Sequence, residues 1–392
     1  MRPLDGITVV SLEQAVSAPF CTRQLADYGA RVIKIERPGE GDFARRYDRS
    51  VNGLSSYFVW LNRSKESVTL DLTQPSARAA LDTLIARADV LVQNLGPGAA
   101  GRLHLDWATL SEQFPRLIVV DISGYGDAGP MAGRKAYDLL VQAESGLISV
   151  TGSDDTPSRC GVSIADIAAG MYAYSGTLMA LIQRGQTGRG TRVAVSMLDA
   201  LGEWMSQPFY FGHYGGTAPT RTGASHPTIA PYGPHRAGDG RDVLLGIQNE
   251  REWNRFCADV LGAPELARDD RFADNTKRVT NRIELIRIIE RAFAALTAEQ
   301  VVQRLDGAAI ANGRLNDVQG FAAHEQLRAR ERWRAIGTSA GAIDALLPPA
   351  DVAGVDPVMG AVPEVGQQTE AVLVELGYDR AAIDDMRATG AI

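Results

Sequence analysis

Ile7-Thr-Val-Val-Ser-Leu12, the run from Ala18 to Tyr28, and Arg31-Val-Ile-Lys-Ile-Glu36 decide the fold between them. The first is apolar and β-branched and reads as a buried strand. The second has helical spacing, with Pro19 tolerable in a first turn. Gly29-Ala30 ends it, and the third run is a strand again. Strand, helix and strand within about 30 residues make a βαβ unit. Ser67-Val-Thr-Leu-Asp71, Ser76 to Ala88 and Asp89-Val-Leu-Val-Gln93 repeat the pattern, and Leu117-Ile-Val-Val-Asp-Ile-Ser123 adds a strand. Alternating units of this kind predict a parallel sheet covered by helices, an α/β fold of Rossmann-like form.

Farther along, Ile164 to Ile182 is small, apolar and free of proline, and predicts a long packed helix. Gln183-Arg-Gly-Gln-Thr-Gly-Arg-Gly190 reads as its break, and Thr191-Arg-Val-Ala-Val-Ser196 as a strand. The Gly-, Pro-, Thr- and His-rich stretch from Gly212 to Pro234 predicts a loop or linker. Asp242-Val-Leu-Leu-Gly-Ile247 opens a second module, with helices expected from Trp253 to Leu261 and from Arg282 to Ala295. The tail beyond Leu346 is rich in Pro and Gly until a final helix at Thr369-Glu-Ala-Val-Leu-Val-Glu-Leu376.

A chain of 392 residues exceeds what one core usually organises. Hydrophobic residues at 45% and charged residues at 22% are those of a globular protein. A formal net charge of -7 argues against non-specific nucleic-acid binding, while leaving room for a local basic pocket. Cys21, Cys160 and Cys257 are odd in number and form no C-x-x-C pair, so neither a disulfide framework nor a zinc site is expected, and a reducing cytoplasm is. No signal-peptide run and no uninterrupted apolar stretch of about 18 residues occurs, so no membrane association is expected.

Several chemistries lack their signatures. Ser11-Leu-Glu-Gln-Ala-Val-Ser17 stands where a dinucleotide site needs G-x-G-x-x-G, and no Walker A motif occurs. His104, His213, His226, His235 and His324 show no metal-binding spacing, and there is no G-x-S-x-G elbow. Carboxylates remain. Asp166 lies in Gly161-Val-Ser-Ile-Ala-Asp-Ile-Ala-Ala-Gly170, and Asp138 follows Tyr137 in Lys135-Ala-Tyr-Asp-Leu-Leu-Val-Gln-Ala-Glu-Ser-Gly146. From position alone the plainer reading of each is a cap or first-turn acid favoured by the helix dipole.

A set of stretches in fixed order changes that reading. It comprises Ala18-Pro19, Leu25-Ala-Asp-Tyr-Gly-Ala-Arg-Val-Ile-Lys-Ile-Glu-Arg-Pro-Gly39, Asn62-Arg-Ser-Lys65, Leu70-Asp-Leu72, and Asp89-Val-Leu-Val-Gln-Asn94 followed by Pro97-Gly98. Tyr137, Gln142 to Gly146, Asp166-Ile167, Pro227, Ala230-Pro-Tyr232 and Gly366 to Gly377 complete it. In these the chain resembles the class III CoA-transferases (CaiB/BaiF type), the group containing formyl-CoA:oxalate and carnitine CoA-transferases.

The resemblance implies that Asp166 attacks a thioester carbonyl, giving a mixed anhydride and CoA thiolate and then an enzyme–CoA thioester that the acceptor carboxylate takes over. Amides at the start of its helix are expected to keep Asp166 ionised. By the same resemblance Arg37, Leu72, Asn94, Leu95 and Arg102 line a CoA pocket, Lys135 faces the phosphates, and Val16 and Ser17 lie near the thioester. Val16 replaces a glutamine of the formyl-CoA enzyme, which argues against formyl or oxalate substrates. The glycine-rich active-site loop corresponds to Arg221-Thr-Gly-Ala-Ser-His-Pro227, with Gly223 and His226 as substrate-side candidates; His226 reads equally as a plain exposed histidine.

Tyr137 occupies the histidine position of the related α-methylacyl-CoA racemases. Tyrosine is a poor base near neutral pH, so racemisation is the runner-up, and Asp138 is expected to hydrogen-bond near the acyl group or the loop. A CoA-binding protein without catalysis is the rival from another class. The segment Ala-His-Glu-Gln-Leu-Arg-Ala-Arg330 is similar to that of members acting on C4–C5 dicarboxylates such as succinate, mesaconate, itaconate or citramalate. A second carboxylate needs a cation, for which Arg45, Arg46 and Arg63 are candidates and Arg46 is chosen. The resemblance further implies an interlocked ring homodimer. Each chain has a large α/β domain over 1–200 completed by 330–392, a smaller α+β domain over 225–315, and linkers at 200–225 and 315–330. CoA enters as substrate; no permanently bound cofactor, metal or nucleic acid is expected.

Overall fold

A computed structural model describes residues 1–392. The chain divides into two compact units: Met1–Gly146, Cys160–Ser206 and Gln326–Ile392 form the first, and Leu147–Arg159 with Gln207–Glu325 the second.

The first unit is built on six strands: β1 (Thr8–Leu12), β2 (Arg31–Glu36), β3 (Lys65–Thr69), β4 (Val90–Gln93), β5 (Ile118–Ser123) and β6 (Arg192–Ser196). All pair in parallel, in the order β3-β2-β1-β4-β5-β6. The order reverses between β1 and β4, and ligands of open α/β sheets bind beyond the carboxyl ends of the strands at such a reversal. Helices α1 (Ser17–Asp27) and α2 (Pro75–Arg87) are crossovers, α3 spans Asp138–Glu144, and α4 spans Ile164–Thr187. Leu81, Ile85, Val10, Ile33 and Leu91 lie in a core on one side of the sheet. Val372, Leu373, Ile383 and Met386 join them from the C-terminal segment.

The structure corrects the sequence reading in places. Helix α4 runs through the expected break and ends at Gly188, which adopts φ 72°. Arg184 explains this: its guanidinium bonds Asp89 Oδ1 at 2.8 Å and reaches the carbonyls of Asp89 and Arg116. A tertiary anchor overrides Gly185, the one glycine of that run inside the helix. Thr369–Leu376 is not the last helix, because Arg380–Ala388 follows, with Asp379 capping the Ala382 N–H at 2.8 Å. Trp333–Thr338 and Gly341–Leu346 form a hairpin within the tail. The predicted loop from Gly212 to Pro234 begins in a helix, Ser206–Gly215, and ends inside a strand.

The second unit has an antiparallel sheet of β7 (Tyr232–Arg236), β8 (Asp242–Gly246) and β9 (Ala311–Arg314). Trp253, Phe256, Phe272 and Phe293 fill its core with residues of the helices Arg282–Phe293 and Ala298–Gly307. The expected helix over Trp253–Leu261 starts at Glu250 and passes into a wider π turn, Phe256–Val260. No helix of either unit is long and apolar enough to cross a membrane.

Two features of the first unit shape the region around the sheet reversal. Under the ends of β1 to β3 lies a buried ionic cluster. Lys34 Nζ bonds Asp42 Oδ2 at 2.8 Å, and Lys65 Nζ bonds Glu13 Oε1 at 2.7 Å. Arg45 grips Glu36 through two nitrogens at 2.6 and 2.9 Å. Burial pushes the Glu13 carboxyl up, but Lys65 and Lys34 outweigh it and hold it below its ordinary range. Burial also pulls the Lys65 ammonium down to about 8, against the attraction of Glu13.

The second feature is the approach of α4 to α1. A Cβ on Gly170 would stand 2.6 Å from the Ser17 carbonyl oxygen and 3.1 Å from Phe20. Only a residue without a side chain lets the two helices meet this closely. Gly170→Ala is expected to cost about 2 kcal/mol by overpacking, read from urea unfolding; an unchanged midpoint would show that α4 can shift without penalty.

Candidate active site

The β1–α1 turn, Glu13 to Val16, sits at the sheet reversal. Ala15 adopts φ 61°, a left-handed conformation that costs a non-glycine residue energy. Side chains hold it there. Asp42 Oδ1 accepts the Ala15 N–H at 3.2 Å, Lys34 Nζ donates to the Glu13 carbonyl at 3.3 Å, and Asn94 bonds both the N–H and the carbonyl of Gln14, at 2.9 and 2.8 Å. The turn delivers Ser17, first residue of α1, to Asp166: both the Ser17 amide and its hydroxyl hydrogen-bond the Asp166 carboxylate.

Asp166 is in the first turn of α4 and is half-buried. Burial pushes its carboxyl up to about 7, the charge of Asp138 adds to the rise, and Ser17 opposes it. The expectation that the amides of its own helix keep it ionised is corrected by the geometry. Ile164 N–H bonds the Val162 carbonyl, Ala165 N–H bonds Asp138 Oδ1 at 2.8 Å, and Ile167 N–H bonds the Ser163 carbonyl. The helix-start donor that Asp166 does receive belongs to α1, through Ser17.

Asp138 is the first residue of α3 and caps α4 from outside. Its other oxygen accepts Gln142 Nε2 at 2.7 Å, and Gln142 Oε1 accepts the Cys160 N–H at 2.9 Å. Gln142 is fully buried, so this bridge ties α3 to the segment leading into α4. Tyr137 is 63% exposed. Sequence reasoning missed the Tyr47 phenol, whose ionisation is pushed up to about 12 by burial, then by Asp42, Asp166 and Tyr137. It packs edge-on against Tyr57 with ring centres 5.4 Å apart. Nothing in Arg45-Arg46-Tyr47-Asp48-Arg49 distinguishes that tyrosine from a surface residue.

A cleft of about 570 Å³ opens beyond the ends of β1, β2 and β3. Of the residues expected to contact CoA, Arg37, Leu72 and Leu95 line it. Arg102 and Lys135 are exposed outside its lining, and Val16 is buried within the turn. Asn94 Nδ2 is engaged by the Gln14 carbonyl and by Ser17 Oγ, the latter at 3.2 Å. Glu13, Glu36 and Asp42 also face the cleft, yet Lys65, Arg45 and Lys34 balance each of them, so its floor does not repel an anion on their account.

Two of the three candidate cations for a distal carboxylate are committed. Arg63 is buried and grips Asp27 at 2.8 Å through two nitrogens, and Arg45 lies 3.6 Å over the Phe58 ring while holding Glu36. Arg46 is exposed and meets Glu40 at 3.3 Å. In the second unit Gly223 adopts φ 61° and is exposed, while His226 stacks on Tyr232 at 5.2 Å and accepts the Thr228 N–H through Nδ1.

Known proteins resemble the chain over most or all of its length. An acetyl-CoA:oxalate CoA-transferase of Acetobacter aceti is 38% identical over 84% of this chain and 84% of its own. A succinyl-CoA:glutarate CoA-transferase of Mus musculus is 32% identical over 100% of this chain and 91% of its own. The crystal structure of a CAIB/BAIF family protein from Brucella suis superposes with a TM-score of 0.84 at 31% identity, over 96% of this chain and 99% of that one. A family model described as CoA-transferase family III matches residues 4–369, and the chain therefore belongs to CoA-transferase family III.

Proposed function

We propose that this CoA-transferase moves CoA from an acyl-CoA, succinyl-CoA foremost, to a short dicarboxylic acid, with Asp166 as the nucleophile. The observation that carries the assignment of Asp166 is its environment: a half-buried carboxyl raised to about 7 and held by the first amide of a neighbouring helix at the sheet reversal. Perturbed carboxyls at such positions mark functional sites. The names of the relatives support the acceptor class, since oxalate and glutarate are both dicarboxylates. Oxalate thus stays among the acceptors to test, although Val16 stands where the formyl-CoA enzyme has glutamine.

An Asp166 oxygen attacks the thioester carbon, the C–S bond breaks, and CoA leaves as thiolate. The thiolate attacks the Asp166 acyl carbon of the mixed anhydride, which releases the donor acid and leaves an aspartyl–CoA thioester. The acceptor carboxylate attacks that thioester and expels the thiolate again. The thiolate then takes the acceptor acyl group and frees Asp166. Each step trades one acyl bond for another, so no ATP is consumed, and covalent catalysis divides one hard exchange into easier ones. Arg37, which lines the cleft, supports the adenine and ribose end of CoA. Asp138 holds the helix that carries the nucleophile, and Arg46 is the candidate for the distal carboxylate.

The assembly we propose is the interlocked homodimer of the family's pattern, in the cytoplasm. Met171, Met179 and Ile182 leave an apolar stripe of α4 uncovered, with Met179 65% and Ile182 66% exposed. Stripes of this kind mark interaction surfaces.

Three outcomes test the reading. Asp166→Asn is expected to lose CoA exchange by about 10³-fold or more and to yield no adduct when incubated with succinyl-CoA and then hydroxylamine, read by mass spectrometry of the residue-166 peptide. Exchange that persists in the variant removes Asp166 from the mechanism. Asp138→Asn keeps an acceptor for Ala165 but deletes a like charge, so the acid limb of the rate–pH profile moves down by about one pH unit; an unmoved limb denies the electrostatic coupling. Arg46→Ala raises KM for glutarate about tenfold and leaves acetate unaffected, whereas equal loss on both acids rejects Arg46 as the distal cation.

A further inference from the structure

Asn94 directly follows β4 and faces the β1–α1 turn across the sheet reversal. Its amide orientation is fixed by the backbone it meets. The Gln14 N–H can only donate, so Oδ1 is the atom that accepts it at 2.9 Å; the Gln14 carbonyl can only accept, so Nδ2 is the atom 2.8 Å away. The second hydrogen of Nδ2 points to Ser17 Oγ at 3.2 Å. Both donor hydrogens of the amide are thereby used, and the side chain has no donor left for a ligand. Ser17 Oγ, receiving a hydrogen from Asn94, gives its own to the Asp166 carboxylate.

We propose that Asn94 is a positioning residue that sets the direction of the Ser17 hydroxyl, so that Ser17 always donates to Asp166 and never accepts from it. A serine hydroxyl rotates freely and can point either way; a donor behind it removes that freedom, and bonds in such a chain reinforce one another. The arrangement deepens the assignment of Asp166 as nucleophile and rests on it. It also supplies the donor that the first turn of α4 lacks, because the Ala165 amide is taken by Asp138.

The titratable groups acting on Asp166 are few. Asp138 reaches it from α3, and the Tyr47 phenol responds to its charge. From α1 it is faced by Ser17, while Arg23 and Asp27 on that helix pair with each other. On β5 and β6, Asp121 and Arg192 likewise pair. The helix Met197–Trp204 carries Asp199 and Glu203, which do not enter the electrostatics of Asp166.

The test titrates Asp166 directly, with no acyl-CoA present. The intact protein is treated with a water-soluble carbodiimide and a labelled amine across the pH range, and label on the Asp166 peptide is followed by mass spectrometry, since the protonated carboxyl is the form that couples. Asn94→Asp keeps the acceptor for Gln14 but turns the donor facing Ser17 into a competing acceptor. Its added charge acts in any background, so the comparison is with the same change made in Ser17→Ala. The midpoint is expected to rise by about one pH unit more in the parent than in the Ser17→Ala protein. An equal rise in both overturns the proposal. Asn94→Leu, near-isosteric and uncharged, must also raise the midpoint, because it removes the donor behind the Ser17 hydroxyl without adding charge; an unmoved midpoint overturns the proposal. Absence of CoA exchange in the parent would reject the proposed function, while the titration would still decide the role of Asn94.

Discussion

The sheet changes its direction of growth between β1 and β4, and everything chemical in the first unit hangs from the turn that has to bridge that point. In dinucleotide-binding proteins glycines shape the turn and a bound pyrophosphate satisfies it. Here Glu-Gln-Ala-Val stands in the same place, with Ala15 in a left-handed conformation. Side chains do what glycine would have done: Asp42 takes the Ala15 amide, Lys34 the Glu13 carbonyl, and Asn94 both groups of Gln14. Buried ion pairs are a weak source of net stability, because desolvation offsets most of their attraction. The cluster of Glu13, Lys34, Asp42 and Lys65 is better understood as fixing geometry, since each member also touches the turn or a neighbour that does.

That geometry resolves a conflict in what the proposed nucleophile, Asp166, must be. A carboxyl near 3.8 is fully ionised at neutral pH but weakly basic, and a weak base attacks a thioester poorly. Burial and Asp138 raise Asp166 to about 7, which makes its anion more nucleophilic and reduces the fraction present. Ser17 works against the rise. The balance keeps the carboxyl above its ordinary range while two donors from α1 hold its ionised form. Asp138 has a double part in this, because the carboxylate that raises Asp166 also fixes the helix bearing it. Packing sets the distance: Gly170 is what lets α4 bring the acid to the amide of Ser17.

The strands of the parallel sheet are legible because β-branched apolar runs bounded by turns have one physical meaning, and their observed ends differ from expectation by at most two residues. The helix Arg380–Ala388 is not legible: only Ile383 and Met386 face the core, too few to impose a period on a charged segment. Helix α4 reads too short in the sequence because the anchor of Arg184, at Asp89, is distant along the chain. Asp166 can be singled out, but not its ionisation, which is set by burial and by Asp138 against the Ser17 donors of another helix. Arg45 and Arg63 look like free cations because nothing local announces that Glu36 and Asp27 will meet them.

The commitment of those two arginines constrains how a dicarboxylate can be recognised. Arg46 remains, and it already faces Glu40 in an exposed pair. Such pairs contribute about 0–1 kcal/mol in water, so a substrate carboxylate can replace Glu40 at little cost, but it also gains little while the site stays open. The gain grows only where water is excluded, because attraction rises as the local dielectric falls. With Arg46 as the proposed distal cation, discrimination between a two-carbon and a five-carbon diacid has to come from the distance between its guanidinium and Asp166. Charge alone attracts both acids equally; the reach from the reacting carboxyl to the cation is what differs between them.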